Sequence, residues 1–226
     1  MITGIAMGIT VLVGQKIGEK HPHEAGMIIG SGIAMFAVIA VILTILMTCG
    51  ASSLSALMQA PEEAFSETTA YIRICSAGAV FIIAYNVLGS IFRGIGDSKM
   101  PLITVAIACV INIAGDLLFV AGFHWGAAGA AAATVLAQAV SVLLSFLIIR
   151  KRALPFTMKR TDLRLNLPVI GKILKLGCPI VLQDFLVSIS FLVIIAIVNR
   201  MGVIASAGVG VAEKLCVFVM LVPSAY

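Results

Sequence analysis

Charge is what this sequence has least of. Only 11% of its 226 residues are Asp, Glu, Lys or Arg, against about a quarter in an ordinary soluble domain. A soluble fold could not cover such a chain with polar surface. Cysteines at ligand spacing are lacking too. Cys49, Cys75, Cys109, Cys178 and Cys216 form no CxxC pair, and each falls in or beside an apolar run. They read as small apolar side chains buried in packing. Neither a phosphate-binding loop nor a Ser/His/Asp arrangement is present, so an enzyme is disfavoured. The apolar run from Met1 to Val13 lacks the basic lead and small-residue cleavage site of a secretory signal.

What fills the sequence is apolar. Hydrophobic residues make up 61%, and the mean hydropathy is +1.16. The fold class implied is an all-α polytopic membrane protein with the lipid bilayer as its main partner. Charges and turn residues cut the chain into apolar segments at 1–14, 26–48, 68–92, 101–122, 127–149, 176–199 and 203–226. The interior ones are long enough to cross a hydrocarbon core of ~30 Å at ~1.5 Å per residue. The first is short, and the last runs to Tyr226. The chain is therefore expected to be part of a larger protein, either a truncated product or a partial record.

The net charge of +5 does not point to nucleic acid. The basic residues sit in the gaps between apolar runs. Lys16 and Lys20 occupy the first gap, and Arg93 and Lys99 the third. The fifth holds Arg150, Lys151, Arg152, Lys159, Arg160, Arg164, Lys172 and Lys175. The gaps around Pro61 and Gly122 hold none; Arg73, Arg200 and Lys214 are the outliers. The positive-inside rule makes the odd gaps cytoplasmic. The basic run with Pro155 and Pro168 is too polar to span, and is expected to tie two helix bundles together.

An ionisable group inside hydrocarbon is costly, so each one within a segment is a candidate site. Asp116 lies fifteen residues beyond Pro101, or ~22 Å along a helix. Asn112 is one turn earlier on the same face. A carboxylate and an amide carbonyl so placed suit a proton or a Na⁺ ion; the bland alternative is an interhelical hydrogen bond. Gln183 and Asp184 lie five or fewer residues beyond Pro179, which frees a backbone carbonyl for a cavity. Glu213 and Lys214 are adjacent in the last segment and do not face each other on a helix. These four are candidates for a cavity or for coupling. Thr134 and Gln138 share a face of a helix opened by Gly126-Ala127-Ala128-Gly129, whose small residues allow close packing. Thr134 is a candidate contributor to a neighbouring ion site.

Two weaker motifs carry less. Gly94-Ile95-Gly96-Asp97 has the pattern of intramembrane aspartyl proteases. Here it runs straight into Ser98-Lys99-Met100-Pro101, which is loop chemistry, and no second Asp accompanies it. His21-Pro22-His23 lacks further metal ligands nearby and reads as a solvated turn.

The run Gly89 to Pro101, with Arg93, Gly94, Gly96, Asp97, Lys99 and Pro101, resembles the signature loop of multidrug and toxic compound extrusion (MATE) transporters. Asn112 to Asp116 is similar to a stretch of that family's fifth helix. Gly126 to Thr134 is similar to the opening of its sixth, Gly14 to Gly18 to the end of its second, and Gly177-Cys178-Pro179 to the start of its seventh. The resemblance covers nearly the whole chain in order. It implies twelve helices in two six-helix lobes, of which about one repeat is present here. On it, residues 1–149 are most of the amino-terminal lobe, 150–172 the cytoplasmic linker, and 173–226 the start of the carboxy-terminal lobe. It implies a plasma-membrane protein of a bacterium or archaeon, monomeric when complete. Its activity would be export of hydrophobic, often cationic compounds by alternating access, in exchange for Na⁺ or H⁺. No cofactor beyond the coupling ion is expected. The family's cation site maps onto Asn112, Asp116 and Thr134. The Glu that some members carry in helix seven is replaced around Leu186-Val187-Ser188, and Asp184 is the candidate substitute.

Two rival readings remain at this level. A lipid-linked oligosaccharide flippase of the same superfamily would need a more basic cavity for pyrophosphate, whereas Asp116, Asp184 and Glu213 outnumber Lys214. A non-transporting fragment is the other.

Overall fold

The computed structural model describes residues 2–57, 62–151 and 160–200, with Phe156 and Val219. Among the described residues there is no strand. The helices are α1 (Ile2–Gly18), α2 (Pro22–Cys49), α3 (Ala51–Leu57), α4 (Glu62–Ala77), α5 (Ala79–Gly94), α6 (Lys99–Asp116), α7 (Gly126–Lys151) and α8 (Leu167–Arg200). A π-helical stretch (Leu117–Gly122) prolongs α6, and a short 3-10 turn (Arg160–Asp162) precedes α8. Among the described residues, four stretches are long and apolar enough to cross a membrane: Pro22–Cys49, Lys99–Gly122, Gly126–Ile149 and Leu167–Phe191. The bent pair α4–α5 makes a fifth. The all-α polytopic reading therefore stands. Segment 203–226 lies outside the described residues.

Two segments differ from their sequence outlines. The run 68–92 reads as one span, but the structure bends it by 51° between α4 and α5. The break is at Gly78, where an added Cβ would overlap the methyls of Val135 on α7. The glycine lets α7 press into the bend. The run 176–199 begins earlier than its charges suggest, at Leu167. Pro168 starts this helix rather than blocking it, because a first-turn residue has no intrahelical N–H bond to lose. Only Pro179 lies in the helix interior.

The chain divides into two compact units, Met1–Ile180 and Val181–Tyr226. The first unit extends past the expected linker, 150–172, through the first half of α8. Its core is built from small residues and a few large ones. Ala6, Ala25, Ala131, Ala133 and Ser141 are wholly buried, alongside Ile9, Val13, Ile29, Phe36 and Phe92. Larger apolar residues such as Leu46, Leu102, Val110, Leu143 and Phe146 point outward. In lipid that arrangement carries no penalty, and helices associate through close backbone approach. At Gly8 of α1, an added Cβ would sit 2.5 Å from the Ile173 carbonyl oxygen of α8.

The cysteines correct one expectation. Cys49, Cys109 and Cys178 are exposed, and Cys75 is half-buried. Hydropathy places a thiol in the membrane, but does not separate the lipid-facing side of a helix from its packed side.

Candidate functional site

The site sits on the seam between α6 and α7. These helices run antiparallel and approach closely because the residues between them are small. An added Cβ at Gly115 would lie 2.9 Å from the Cβ of Ala133. At Gly129 it would lie 3.1 Å from the backbone of Phe119. This closeness brings polar side chains of the two helices together.

Asn112 Nδ2 donates to Thr134 Oγ1 at 3.3 Å, and Thr134 Oγ1 donates to the Ala130 carbonyl at 3.0 Å. The Thr134 hydroxyl has thus given its hydrogen and accepted one, leaving a lone pair. The Asn112 amide, turned by this bond, keeps its carbonyl oxygen as an acceptor. One turn further along α6, Asp116 buries Oδ1 with no hydrogen-bond partner among the described residues. Gln138, one turn beyond Thr134 on α7, buries Oε1 in the same condition. The Tyr71 phenol of α4 is within electrostatic reach of the Asp116 carboxylate.

A buried carboxylate oxygen with no donor is expensive, by several kcal/mol if the group stays charged. Two additions remove that cost: a proton on the carboxyl, or a cation held by oxygen ligands. Asp116, Asn112 and Thr134 supply oxygens only, the donor set of a hard ion such as Na⁺. No group of three His, Cys, Asp or Glu suited to a metal occurs among the described residues.

The backbone changes register at this point. Asp116 is the last residue of α6, and the next six residues are π-helical. The Phe123 N–H bonds back to the Leu118 carbonyl at 2.9 Å, and Trp125 N–H to that of Phe119 at 3.0 Å. Phe119 stacks on Trp125 with ring centroids 5.5 Å apart and planes 8° from parallel. Phe119 is also the neighbour of Gly115 and Gly129, so the stack touches both walls of the seam. Such π turns collect at functional sites. Nothing in the hydropathy of segment 101–122 announces this one.

The signature residues form a corner rather than a pocket for ions. Gly94 lets α5 touch α1: an added Cβ would lie 3.0 Å from the Thr10 carbonyl oxygen and from Val13. The Thr10 hydroxyl donates to the Ser90 carbonyl at 3.0 Å across the same contact. Gly96 has φ +80, a left-handed turn that side chains resist. Asp97 Oδ1 accepts the Met100 N–H at 3.1 Å, holding the first turn of α6, and Lys99 is the first helical residue. Pro101 fits that first turn for the reason given for Pro168. Arg93 donates to Ser90 Oγ at 3.0 Å. Asp97 thus lies in the loop before α6 and holds a first-turn N–H of that helix.

Gln183 and Asp184 lie in the second compact unit, exposed on α8. The Asp184 carbonyl accepts from Ser188 Oγ at 2.8 Å. Glu213 and Lys214 lie outside the described residues. Asn112, Asp116 and Thr134 were grouped through the family resemblance, while Gln138 was placed on the face of Thr134 without a role. Its signal was present, an amide four residues from a hydroxyl in an otherwise apolar helix.

The family model described as MatE matches residues 1–118, more than half of the chain. This chain belongs to the MatE family. The match takes in the signature corner, Asn112 and Asp116. The MatE chain is 28% identical over 225 residues to "Probable multidrug resistance protein YoeA" of Bacillus subtilis (strain 168), covering 96% of this chain and 49% of that protein. Two solved structures of a multidrug resistance MATE family transporter of the MOP superfamily are similar as well. The outward-facing one matches with TM-score 0.85 and 26% identity, over 97% of this chain and 49% of that one. The inward-facing one gives 0.71 and 27%, over 79% and 42%. The MatE chain thus spans about half the length of the relatives it matches. It is a multi-pass helical membrane protein similar to multidrug transporters.

Proposed function

We propose that this chain forms the cation-coupling part of a multidrug efflux transporter. The transporter exports hydrophobic, often cationic compounds and returns Na⁺ or H⁺ through the site at Asp116, Asn112 and Thr134. The observation that carries the reading is the buried Asp116 oxygen without a partner, one turn from the Asn112–Thr134 bond. Such a group is stable in one of two conditions, neutralised or ligated, and switching between them changes the local charge by one unit. A cation that binds one conformation more tightly than the other shifts the balance by that difference in affinity and no more. The similarity to both outward- and inward-facing transporters supports alternating access as the motion being biased.

In this reading residues 1–149 belong to one lobe, 150–172 link it to the next, and 173–226 begin the second. Asp184 and Gln183 would serve the second lobe. Asp116→Asn keeps the size and removes the charge. In cells expressing the protein, wild type should lower ethidium accumulation, and Asp116→Asn should not, at equal amounts in the membrane. Undiminished export by the variant would overturn the assignment.

A further inference from the structure

The first compact unit holds an apolar cleft of about 360 Å³ between α2, α5 and α7. Phe36 and Ala40 of α2, with Ile83 and Val87 of α5, form its buried floor. Phe146 of α7 and Leu163 of the linker stand exposed at its rim. Every side chain that lines it is apolar, and none belongs to the cation site. A pocket for a polar or cationic solute carries a few polar groups that fix its orientation, and this one has none. Water finds no partner there either. Left empty, the cleft would forgo the dispersion contacts of its lining. A hydrocarbon chain satisfies such a surface without any polar partner.

The rim at Leu163 adds a charge. Asp162 rests its backbone on α2 at Gly30, where an added Cβ would overlap the Asp162 carbonyl. The Arg164 N–H bonds back to the same carbonyl at 2.8 Å and closes a three-residue turn around Leu163. Leu163 lines the cleft, and Arg164 is exposed beside it. Gly30 lies only four residues into the apolar run 26–48, or ~6 Å along the helix. The turn is therefore set where headgroups meet acyl chains. The sequence puts Lys159 and Arg160 just before it. A cation at that depth meets the phosphate of a lipid whose chain lies in the cleft, and the guanidinium fork suits phosphate. The charge rule assigns this face to the cytoplasm, whose leaflet carries the anionic lipids.

We propose that the cleft binds an acyl chain of an anionic phospholipid, with the phosphate held at Arg164. Lipid tails are as apolar as the cleft, so apolar contact retains a chain by shape but does not choose among lipids. The choice comes from the charge at Arg164. A lipid so seated touches α2, α5, α7 and the linker together, and holds the linker turn against the helices.

The full chain is released from nanodiscs of phosphatidylglycerol and phosphatidylcholine in equal parts, and its retained lipid is read by native mass spectrometry. Wild type should keep phosphatidylglycerol over phosphatidylcholine by about fivefold, the preference that a basic residue near the surface provides. Ala37 lines the open side of the cleft. Ala37→Phe fills the cleft from that side and should lose the retained lipid, whichever headgroup it carries. Arg164→Gln should keep a lipid but lose the preference. Lys20→Gln, which removes an exposed cation outside the cleft, should behave as wild type. Full retention in Ala37→Phe, or equal retention of the two lipids by wild type, overturns the proposal. So does loss of the preference in Lys20→Gln, which would make it a property of surface charge in general. A wild type that carries no lipid also overturns it, and a dimer in that case marks the cleft as an interface between copies. Should Ala37→Phe fail to reach the membrane, Arg164→Gln decides alone, and an intact preference there overturns the proposal.

Discussion

Asn112 on α6 and Thr134 on α7 share a hydrogen bond of 3.3 Å, twenty-two residues apart in the chain and one turn from the unpartnered Asp116 oxygen. The bond sets the orientation of the amide and of the hydroxyl together. Thr134→Val keeps the shape and removes the oxygen. It should weaken cation affinity at least fivefold, the equivalent of about 1 kcal/mol for one hydrogen bond or ligand. Thr134→Ser should stay near wild type. Equal affinity in all three, measured by isothermal titration, would show that Thr134 is packing only.

Gly115 lets α6 and α7 approach closely. Gly115→Ala places a methyl 2.9 Å from the Ala133 Cβ. Overpacking of this kind costs about 1–3 kcal/mol, and here it also pushes Asp116 away from Thr134. Thermal midpoint and cation affinity should fall together. Gly171 of α8 is the control, since an added Cβ there meets nothing within 4 Å. Gly171→Ala should be neutral or stabilising, by up to about 1 kcal/mol.

Asp97 holds the Met100 N–H in the first turn of α6 and stands apart from the cation site. Asp97→Ala should lower stability by about 1 kcal/mol or more while leaving cation affinity where it was. A large loss of affinity with stability intact would mean that the signature corner contacts the ion.

Much of this was legible in the sequence, for physical reasons that also mark where legibility stopped. Hydrocarbon allows only closed backbone hydrogen bonding, so apolar length alone predicts spanning helices, and the five interior runs correspond, among the described residues, to four spanning helices and one bent pair. Asn112 and Asp116 stood out because polar groups are rare in lipid, and Thr134 joined them through the family resemblance. Hydropathy failed wherever the answer depended on which neighbour a helix meets. The bend at Gly78 exists because Val135 enters it, and Val135 is fifty-seven residues away. Cys109 and Cys178 were read as buried because lipid and protein interior look alike to an apolar side chain. The start of α8 was missed because Pro168 reads as a breaker until its place in the first turn is known. The π turn after Asp116 has no compositional mark at all.

The turn between α1 and α2 supplies a pH dependence away from the membrane interior. Lys16 Nζ lies 2.6 Å from Glu19 Oε2 and 2.9 Å from Glu24 Oε2. Hydrogen bonding to Glu19 and then Glu24 raises the Lys16 pKa above its ordinary 10.5. Hydrogen bonding to Lys16 lowers that of Glu24 below 4.5. The Glu24 contribution is present above 4.5 and is lost as pH falls through the lowered folded value; the Lys16 contribution is present below 10.5 and is lost as pH rises through the raised one. Both side chains reach solvent, Lys16 less than Glu24, so the effect is small and screened by salt. The difference in thermal midpoint between wild type and Glu24→Gln should be visible near neutral pH in dilute buffer. It should vanish in strong acid and in molar salt.

The charge on Asp116 is the centre of the proposed mechanism, and Trp125 is the single tryptophan of the chain, stacked on the aromatic ring that borders the seam. Titrating the chain in nanodiscs with Na⁺, and separately with acid, while following Trp125 fluorescence is the most direct measurement. Wild type should give a saturable change with at least one of the two cations, and Asp116→Asn should give none while keeping its thermal midpoint. An identical titration in Asp116→Asn would contradict a cation site at this carboxylate.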